Sequence, residues 1–257
     1  MRFFFSLLVL LLGFFSGVRI VPAQVPLLLD KKIVDLTHPL ATGMPYFPGN
    51  IPFSIHPLIK AEEGYQMSVF SASEHHGTHL DAPSHFFSKK TTVDKIPLDF
   101  LLRPVVKIDV SQKVEKNSDY RLSVDDIRSW EKENGPIPKG SYVMLYTGWD
   151  ERWPQPAAYI NQDDKGEMHF PGFSCEAAQY LVDGCHVQGV GIDTLSGDAG
   201  LEKDFCVHRI ILKWEKFIIE NVANLSQLPP RGSYILVAPL RLAEGSGAPA
   251  RVWAWLP

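Results

Sequence analysis

Residues 69–87 read VFSASEHHGTHLDAPSHFF and contain the most informative pattern of the chain. Four of the nine histidines fall within residues 75–85, together with an aspartate. The stretch begins as an alternating apolar strand, and a glycine and a proline then interrupt any continuous helix. We therefore predict that His75, His79 and Asp81 lie at the end of a strand and on the loop after it, where ligands often converge.

His75, His79 and Asp81 offer two imidazoles and one carboxylate at the spacing H-x3-H-x-D. This donor set suits Zn²⁺, Mn²⁺ or Fe²⁺, and three protein ligands leave coordination positions for water and substrate. Such an open site is typical of a catalytic metal centre. The alternative is a chance clustering of histidines, which the composition of the chain makes rare at this spacing.

The other two histidines of the stretch are expected to serve differently. His76 follows His75 directly and would point to the opposite face of a strand, so we expect it to support the ligands or to lie at the surface. His85 comes after a short Pro-Ser spacer that brings it near the metal, and an imidazole titrates near neutral pH. We predict that His85 is the catalytic acid and base; a structural or ligand role is the alternative.

The composition indicates one globular domain with a small-molecule partner. The 257 residues are 45% hydrophobic and 21% charged, which is enough to build a large core. The net charge of -4, without any run of lysine or arginine, argues against nucleic acid and against an anionic membrane surface as partners. No repeat or flexible linker interrupts residues 24–257, so we predict a single domain there.

Residues 1–23 have the pattern of a signal peptide. A basic residue precedes the largely apolar residues 3–15, and Val-Pro-Ala precedes Gln24. The apolar run is shorter than the roughly 20 residues that a membrane span needs. We expect a secreted or lumenal mature chain without membrane contact once processed, and an uncleaved signal anchor is the alternative.

Two modification questions stay open in the sequence. An oxidising compartment would permit one disulfide among Cys175, Cys185 and Cys206, but the spacing does not decide the pairing. Asn224 begins an Asn-Leu-Ser sequon among apolar residues, so its glycosylation is equally open.

Strand signals recur along residues 24–257, and helices fall between them. A capping box at Ser123 predicts a helix to about residue 133, a cap at Ser174 predicts another that stops at Gly184, and a third is expected near His208. Because strands outnumber helices, we predict a mixed α/β domain with a mixed sheet core and flanking helices. The predicted strands are 33–36, 66–72, 105–110, 142–146, 187–192, 217–220, 233–238 and 251–255.

The motif H-x-G-T-H-x-D-x-P-x-H-F, present without departure at residues 75–86, resembles that of the cyclase-like metal-dependent hydrolases. This family includes bacterial kynurenine formamidase and isatin hydrolase. The resemblance covers nearly all of residues 31–257, and it implies a swivelling β/β/α fold and a homodimer in which neighbouring subunits contribute to the substrate pocket. Further matching segments are D-L-T-H-P-L at 35–40, M-P-Y-F-P-G at 44–49, G-I-D-T at 191–194, His208-Arg209 and Glu220-Asn221.

The resemblance gives roles to residues outside the central motif. It implies that His75, His79 and Asp81 bind a first metal, and that Asp81, His208 and Glu220 complete a second site in dinuclear members. Some members use a single manganese. Without the resemblance, His208 and Glu220 would be ordinary surface or capping residues. We therefore expect one or two Zn or Mn ions per subunit.

The family also implies a reaction. Our main hypothesis is an arylformamidase of tryptophan catabolism that hydrolyses the amide of N-formylkynurenine to kynurenine and formate. A metal at the motif would lower the pKa of water and so supply the nucleophile, while His85 would pass a proton to the leaving nitrogen. Alternatives are ring opening of isatin or another cyclic amide or ester, and a secreted binding protein without turnover. A serine hydrolase is disfavoured, because the chain has no G-x-S-x-G elbow.

An aromatic substrate needs apolar walls. Phe47 and Phe86 lie within the family motifs, and we predict that they bind substrate. Most aromatic side chains belong to the core, so we expect about two of the candidates to line the pocket. The candidates are Tyr46, Phe47, Phe86, Trp149 and Phe170.

Overall fold

The structure is a computed structural model that describes residues 31–257, and the predicted signal peptide lies outside these residues. Strands and α-helices alternate from β4 to β10, and further strands come before and after this part of the chain. The strands are β1 (Ile33–Asp35), β2 (Ser54–Ile59), β3 (Met67–Ser71), β4 (His79–Asp81), β5 (Leu102–Asp109), β6 (Arg121–Leu122), β7 (Tyr142–Tyr146), β8 (Gly172–Phe173), β9 (Gly189–Ile192), β10 (Phe217–Glu220), β11 (Ser233–Pro239) and β12 (Gly247–Trp255). The α-helices are α1 (Leu98–Leu101), α2 (Ser111–Val114), α3 (Val124–Asn134), α4 (Pro156–Ile160), α5 (Cys175–Asp183) and α6 (Cys206–Lys213).

Eight strands form a sheet that closes into a barrel. Their order is β1-β12-β11-β5-β7-β9-β10-β4, and β4 also pairs with β12. The neighbours β5, β7, β9 and β10 run parallel, and the other pairs of this sheet are antiparallel. The predicted mixed α/β domain with a mixed sheet is therefore confirmed, while the swivelling arrangement implied by the resemblance stays a prediction.

The barrel wall separates two apolar clusters. In β7, Val143 and Leu145 belong to a cluster that also contains buried residues of α3, α5 and α6. Tyr142 and Met144 alternate with them and belong to the cluster built from strands around the barrel. Strands β7, β9 and β10 are covered on both faces, as their continuous apolar sequences predict.

The predicted helix starts agree with the structure. The Ser123 hydroxyl accepts a hydrogen bond from the Asp126 N–H (3.2 Å), and the Asp126 carboxylate accepts one from the Ser123 N–H (2.8 Å), which confirms the capping box. The Ser174 hydroxyl accepts from the Ala177 N–H (3.0 Å) and starts α5, which ends before Gly184. The third helix starts at Cys206, two residues earlier than predicted.

Strand β4 is the main correction to the predicted elements. We expected Asp81 on a loop, but it is hydrogen-bonded within the sheet, because β4 pairs along both edges with β10 and β12. Three residues between a glycine and a proline are too few to show a strand period. The sequence also gave no signal for β2, which contains Pro57 and forms a separate two-stranded sheet with β3.

Two questions left open by the sequence receive structural answers. A disulfide joins Cys175 to Cys206, and Cys185 is a buried free thiol. Asn224 is exposed, and its side-chain amide donates to the Asp35 carbonyl (2.9 Å), a bond that an attached glycan would disturb. Among residues 31–257, no helix has the length and apolar character required to cross a membrane.

Candidate metal centre

The candidate metal centre is built where β4 closes the barrel. His79 lies opposite Glu220 of β10, and Asp81 lies two residues further along β4. Alternate residues of a strand share a face, so His79 and Asp81 point to the same side. Leu80 between them belongs to the cluster inside the barrel. The closing strand therefore directs its two polar side chains out of the barrel, to the side where α6 packs.

Two glycines allow the chain to approach this strand closely. Gly77 precedes β4 with φ at +61°, a left-handed conformation that glycine adopts readily. Gly247 of β12 lies opposite Asp81, and a Cβ atom there would be 2.6 Å from Cε1 of His75. The absence of a side chain at Gly247 thus leaves the space that the His75 ring occupies.

Asp81 is the hub of the cluster. Its Oδ1 lies 2.6 Å from His75 Nδ1 and 3.2 Å from His79 Nε2, and its Oδ2 lies 3.1 Å from His208 Nε2. Glu220 adds Oε2 at 3.4 Å from His79 Nε2 and Oε1 at 3.3 Å from His208 Nε2. The structure therefore brings together all five residues that were predicted as metal ligands, from β4, β10, α6 and the loop before β4.

Each imidazole of the cluster directs its other nitrogen to an oxygen of the protein. A nitrogen that donates a hydrogen bond carries the proton, so the inward nitrogen of the neutral ring holds a lone pair. The acceptors are the Gly77 carbonyl for His79 Nδ1 (2.9 Å), Asp198 Oδ2 for His208 Nδ1 (2.5 Å) and Ser246 Oγ for His75 Nε2 (3.0 Å). The Ser246 hydroxyl itself donates to Glu74, which leaves it free to accept from His75.

The arrangement fits a divalent metal ion. The buried Nε2 of His79 makes no hydrogen bond of acceptable geometry, although two carboxylates lie nearby. The ligand atoms of His75, His79 and Asp81 lie within 4.8 Å of one another, and so do those of Asp81, His85 and His208. Imidazole nitrogens and carboxylate oxygens that converge in this way suit ions such as Zn²⁺ or Mn²⁺.

The two carboxylates also control the protonation of the histidines. Burial alone would lower the pKa of His79, but the nearby carboxylates of Asp81 and Glu220 outweigh it and raise this pKa to about 10. Burial would also lower the pKa of His208. Hydrogen bonds to Asp198, and less strongly to Asp81 and Glu220, outweigh this effect and raise the pKa. Without a metal, protons bound to His79 and His208 therefore balance the negative charge of the two carboxylates.

His85 stands beside the cluster. It ends a short 3₁₀ helix, Pro83–His85, and its ring centre lies 4.0 Å from that of His75 and 5.9 Å from that of His208. Its side chain is exposed to the cavity in front of the cluster, and partial removal from water by the surrounding protein lowers its pKa. At neutral pH this imidazole is uncharged and available to accept a proton.

A cavity of about 260 Å³ opens onto the cluster. The predicted substrate-binding residues Phe47 and Phe86 both line it, and Tyr46 and Phe205 line it as well. Trp149 and Phe170 do not, because they are fully buried core residues. Three of the five aromatic candidates thus reach the cavity. Phe205 was not a candidate, because no pattern around it distinguishes it from a core residue.

His76 is buried, which agrees with the predicted supporting position and not with its alternative at the surface. Its Nδ1 accepts hydrogen bonds from the N–H (2.9 Å) and the hydroxyl (2.6 Å) of Ser73 in the same turn. The loop before β4 is covered by the segment that contains Tyr46, whose ring lies 5.9 Å from that of His76. His76 therefore shapes the ligand loop.

The sequence did not reveal the residues that support the ligands. Asp198 lies in a loop with no distinguishing spacing, and Ser246 is far along the chain from His75. Asn221, which follows Glu220 in a family motif, donates to the Gly77 carbonyl (2.9 Å), the same oxygen that accepts from His79. Of these three supporting residues, only Asn221 has a sequence signal, because it directly follows Glu220 in a family motif.

Comparisons with known proteins find similarity over most of the chain. Residues 34–199 match the family model Cyclase, described as "Putative cyclase". The chain is 31% identical over 254 residues to isatin hydrolase of Roseibium aggregatum, with 94% of this chain and 95% of the relative covered. It is 27% identical over 231 residues to kynurenine formamidase of Paracidovorax citrulli, with 86% and 95% covered.

Solved structures extend the similarity to the fold. Isatin hydrolase A from Ralstonia solanacearum superposes with a TM-score of 0.87 at 32% identity, covering 94% of this chain and 100% of that chain. A protein of Bacillus stearothermophilus, described as a "predicted metal-dependent hydrolase", superposes with a TM-score of 0.66 at 26% identity, covering 87% and 97%. The whole described barrel is thus shared with such proteins.

We predict that metal binding releases protons and strengthens as the pH rises. His79, with a pKa of about 10, and His208, whose pKa is raised, are charged at neutral pH in the metal-free protein and must lose a proton to bind metal. Each proton released raises the apparent association constant about tenfold per pH unit below that pKa. Titration of the metal-stripped protein with Mn²⁺ at pH 6, 7 and 8 measures this slope. An affinity that is constant or falls over this range would contradict it.

Proposed function

Because the chain belongs to the cyclase family of metal-dependent hydrolases, we propose that it hydrolyses the ring C–N bond of a cyclic aryl amide of the isatin type. The observation that carries this proposal is the pairing of a metal-ligand cluster with an aromatic, uncharged cavity wall directly in front of it. A flat, neutral bicyclic amide matches both parts. Its carbonyl would face the cluster, and its ring would lie against Phe47, Phe86 and Phe205.

The charge of the cavity favours a neutral substrate. N-formylkynurenine carries an ammonium and a carboxylate group, and a carboxylate in an enclosed site is held most strongly by a cationic partner. Within residues 31–257, neither lysine nor arginine lines the cavity. Arg209 lies on the Phe86 ring, 5.6 Å from its centre, and is not a lining residue. Isatin has no charged group that requires such a partner.

The arylformamidase hypothesis is the second candidate. The kynurenine formamidase of Paracidovorax citrulli is similar over 86% of this chain, and both reactions break an aryl N–C(=O) bond. The same cluster and the same proton acceptor would serve either substrate. The two candidate substrates differ in the groups that the outer part of the cavity must bind. Turnover measurements with each substrate can distinguish the two functions.

Different residues would bind the metal and orient the substrate. His75, His79 and Asp81, joined by His208 and Glu220, would hold the metal. A bound divalent metal supplies a Lewis acid that polarises a carbonyl oxygen and lowers the pKa of water. The aromatic wall would orient the substrate ring and exclude bulk water, so that the carbonyl carbon meets the attacking water in one geometry.

His85 is suited to move the proton. Water adds to the amide carbonyl carbon, and the imidazole accepts the proton that this water loses. When the ring C–N bond breaks, the same imidazole returns the proton to the departing nitrogen, which leaves as a neutral aryl amine. The carbonyl carbon ends as a carboxylic acid, which releases its proton to solvent at neutral pH and becomes a carboxylate. Because its pKa is lowered, His85 is unprotonated at neutral pH and so begins the reaction with a nitrogen lone pair free.

We expect Mn²⁺- or Zn²⁺-loaded protein to open isatin, measured by loss of isatin absorbance, faster than it releases formate from N-formylkynurenine. Removal of the metal with a chelator should abolish turnover. Faster formate release would replace the proposal with arylformamidase activity. No turnover of either compound by protein that demonstrably holds metal would contradict both, and would favour a binding protein.

The control for the proton transfer is a pair of histidine variants. His85→Ala should lower kcat by about 100-fold or more, the usual contribution of a general acid or base, without loss of bound metal. His186→Asn removes an exposed histidine in the loop before β9, where asparagine tolerates the positive φ of +53°, and should leave kcat unchanged. Equal activity of the two variants would rule out the role proposed for His85.

We further propose that the protein is a homodimer, as the family resemblance implies. The β2–β3 hairpin supports this, because apolar side chains are exposed on both of its faces, among them Leu58 (60%), Val69 (55%) and Phe70 (54%). A two-stranded sheet alone is marginally stable in water, and an exposed apolar patch often marks an interface. The segment just before this hairpin lines the cavity through Phe47 and Asn50, so a partner there would lie beside the substrate.

We expect light scattering during size exclusion to give a dimer mass for the wild type and a monomer mass for Phe70→Glu. A buried charge in the interface has no partner and should disrupt it. Leu98→Glu, at an 83% exposed leucine of α1, is the matched control and should stay dimeric. A monomeric wild type would contradict the proposal.

A further inference from the structure

The disulfide lies at the base of the helix that carries His208. It joins Cys175 and Cys206, the first residues of α5 and α6, across a Cα–Cα distance of 5.7 Å. His208 follows Cys206 by two residues, within the first turn of α6. The bridge is therefore placed to influence one candidate metal ligand while lying outside the cavity.

Asp198 both starts this helix and orients His208. The residue before α6, Phe205, has φ at +50° and provides no side-chain cap. Asp198 acts from outside the helix: its Oδ1 accepts from the Val207 N–H (2.8 Å), and its Oδ2 accepts from the His208 N–H (3.2 Å) and from His208 Nδ1 (2.5 Å). One buried carboxylate thus sets the helix start and the direction of the imidazole.

The loop between Asp198 and α6 is tied at both ends to one segment. On one side, the Phe173 N–H donates to the Gly197 carbonyl (2.9 Å), and a Cβ at Gly172 would lie 2.3 Å from the Ala199 nitrogen. On the other side, Cys175 of the same segment holds Cys206. Cleavage of the disulfide would remove the covalent attachment of the helix end of the loop. The hydrogen bonds of Asp198, the Arg121–Glu202 ion pair and the packing of Val207 would remain.

The other ligands have no such dependence. His79 and Asp81 lie on β4, which is hydrogen-bonded to β10 and β12, and Glu220 ends β10. His75 is held by the Ser246 hydroxyl. Motion of the α6 base would therefore displace His208, and with it Phe205 of the cavity wall, without loosening the barrel strands.

We propose that Asp198 is a positioning residue for His208, and that the Cys175–Cys206 disulfide makes the His208 side of the metal centre dependent on oxidation. This rests on the metal centre of the proposed function. A dithiol reductant supplies two electrons and two protons, the S–S bond becomes two thiols, and the dithiol becomes its own disulfide. Both cysteines are half-buried, and Cys175 lines an open groove that a small dithiol can enter.

The test is Mn²⁺ titration by calorimetry of oxidised protein and of protein that was reduced and then freed of dithiol under anaerobic conditions. His208→Ala provides the reference for complete loss of this ligand. Reduction and Asp198→Asn should each weaken Mn²⁺ binding by roughly 10- to 100-fold, the usual effect of removing support from a metal ligand. Reduction of His208→Ala should weaken binding no further.

Matched controls separate this effect from general loosening. Asp204→Asn removes an exposed charge from the same loop and should bind Mn²⁺ as the wild type does. Cys185→Ser, which removes the free thiol, should respond to reduction as the wild type does. The double variant Cys175→Ala, Cys206→Ala should reproduce the reduced state without reductant, and faster amide hydrogen exchange in residues 204–210 should accompany it.

The outcomes are distinguishable. If His208→Ala weakens binding but reduction does not, the inference is overturned and the metal centre stands. If His208→Ala itself binds Mn²⁺ like the wild type, the ligand role of His208 fails, and the inference fails with it.

Discussion

The contact on which the site depends is that of the buried Asp81 carboxylate with three imidazoles. The side chain is fully excluded from solvent, and an isolated carboxylate in such a place would cost far more free energy than a fold can supply. Nearby positive charge compensates for it, from protons on the histidines or from a metal ion. The charge on His75, and then hydrogen bonds from His208 and His75, keep the pKa of Asp81 well below its usual range despite burial. The buried carboxylate therefore needs compensating positive charge, either from protonated histidines or from a metal ion.

The barrel makes this burial possible. The three-residue strand β4 closes the sheet by pairing with both β10 and β12. Because alternate residues of a strand share a face, this pairing determines the direction of the His79 and Asp81 side chains. Helix α6 contributes His208 from outside the barrel and depends on Asp198 for its start and direction. The candidate metal ligands are therefore held with different rigidity. Rigid strands hold the first group, and a helix base tied by a disulfide holds the second.

The sequence identified the residues of the cluster better than it identified the residues that support them. His75, His79 and Asp81 share a short stretch whose spacing is informative by itself, and His208 and Glu220 entered through the family resemblance. Asp198 precedes His208 by 10 residues and Ser246 follows His75 by 171, so no local pattern marks them. Central strands such as β7 were predicted from continuous apolar runs, whereas β4 was missed because tertiary pairing, not periodicity, creates it. The sequence left His76 between a supporting and a surface position, because its burial comes from the chain around Tyr46.

The most direct test of the account is the metal content of Asp81→Asn, measured by mass spectrometry after dialysis in Mn²⁺. Asp150→Asn is the matched control. It replaces a half-buried carboxylate that does not line the cavity and whose pKa burial raises, and the amide oxygen of asparagine can still accept from the Asn224 N–H (2.8 Å). We expect at least one metal ion per chain in the wild type and in Asp150→Asn, and essentially none in Asp81→Asn. Wild-type metal content in folded Asp81→Asn would contradict a metal centre organised by this carboxylate.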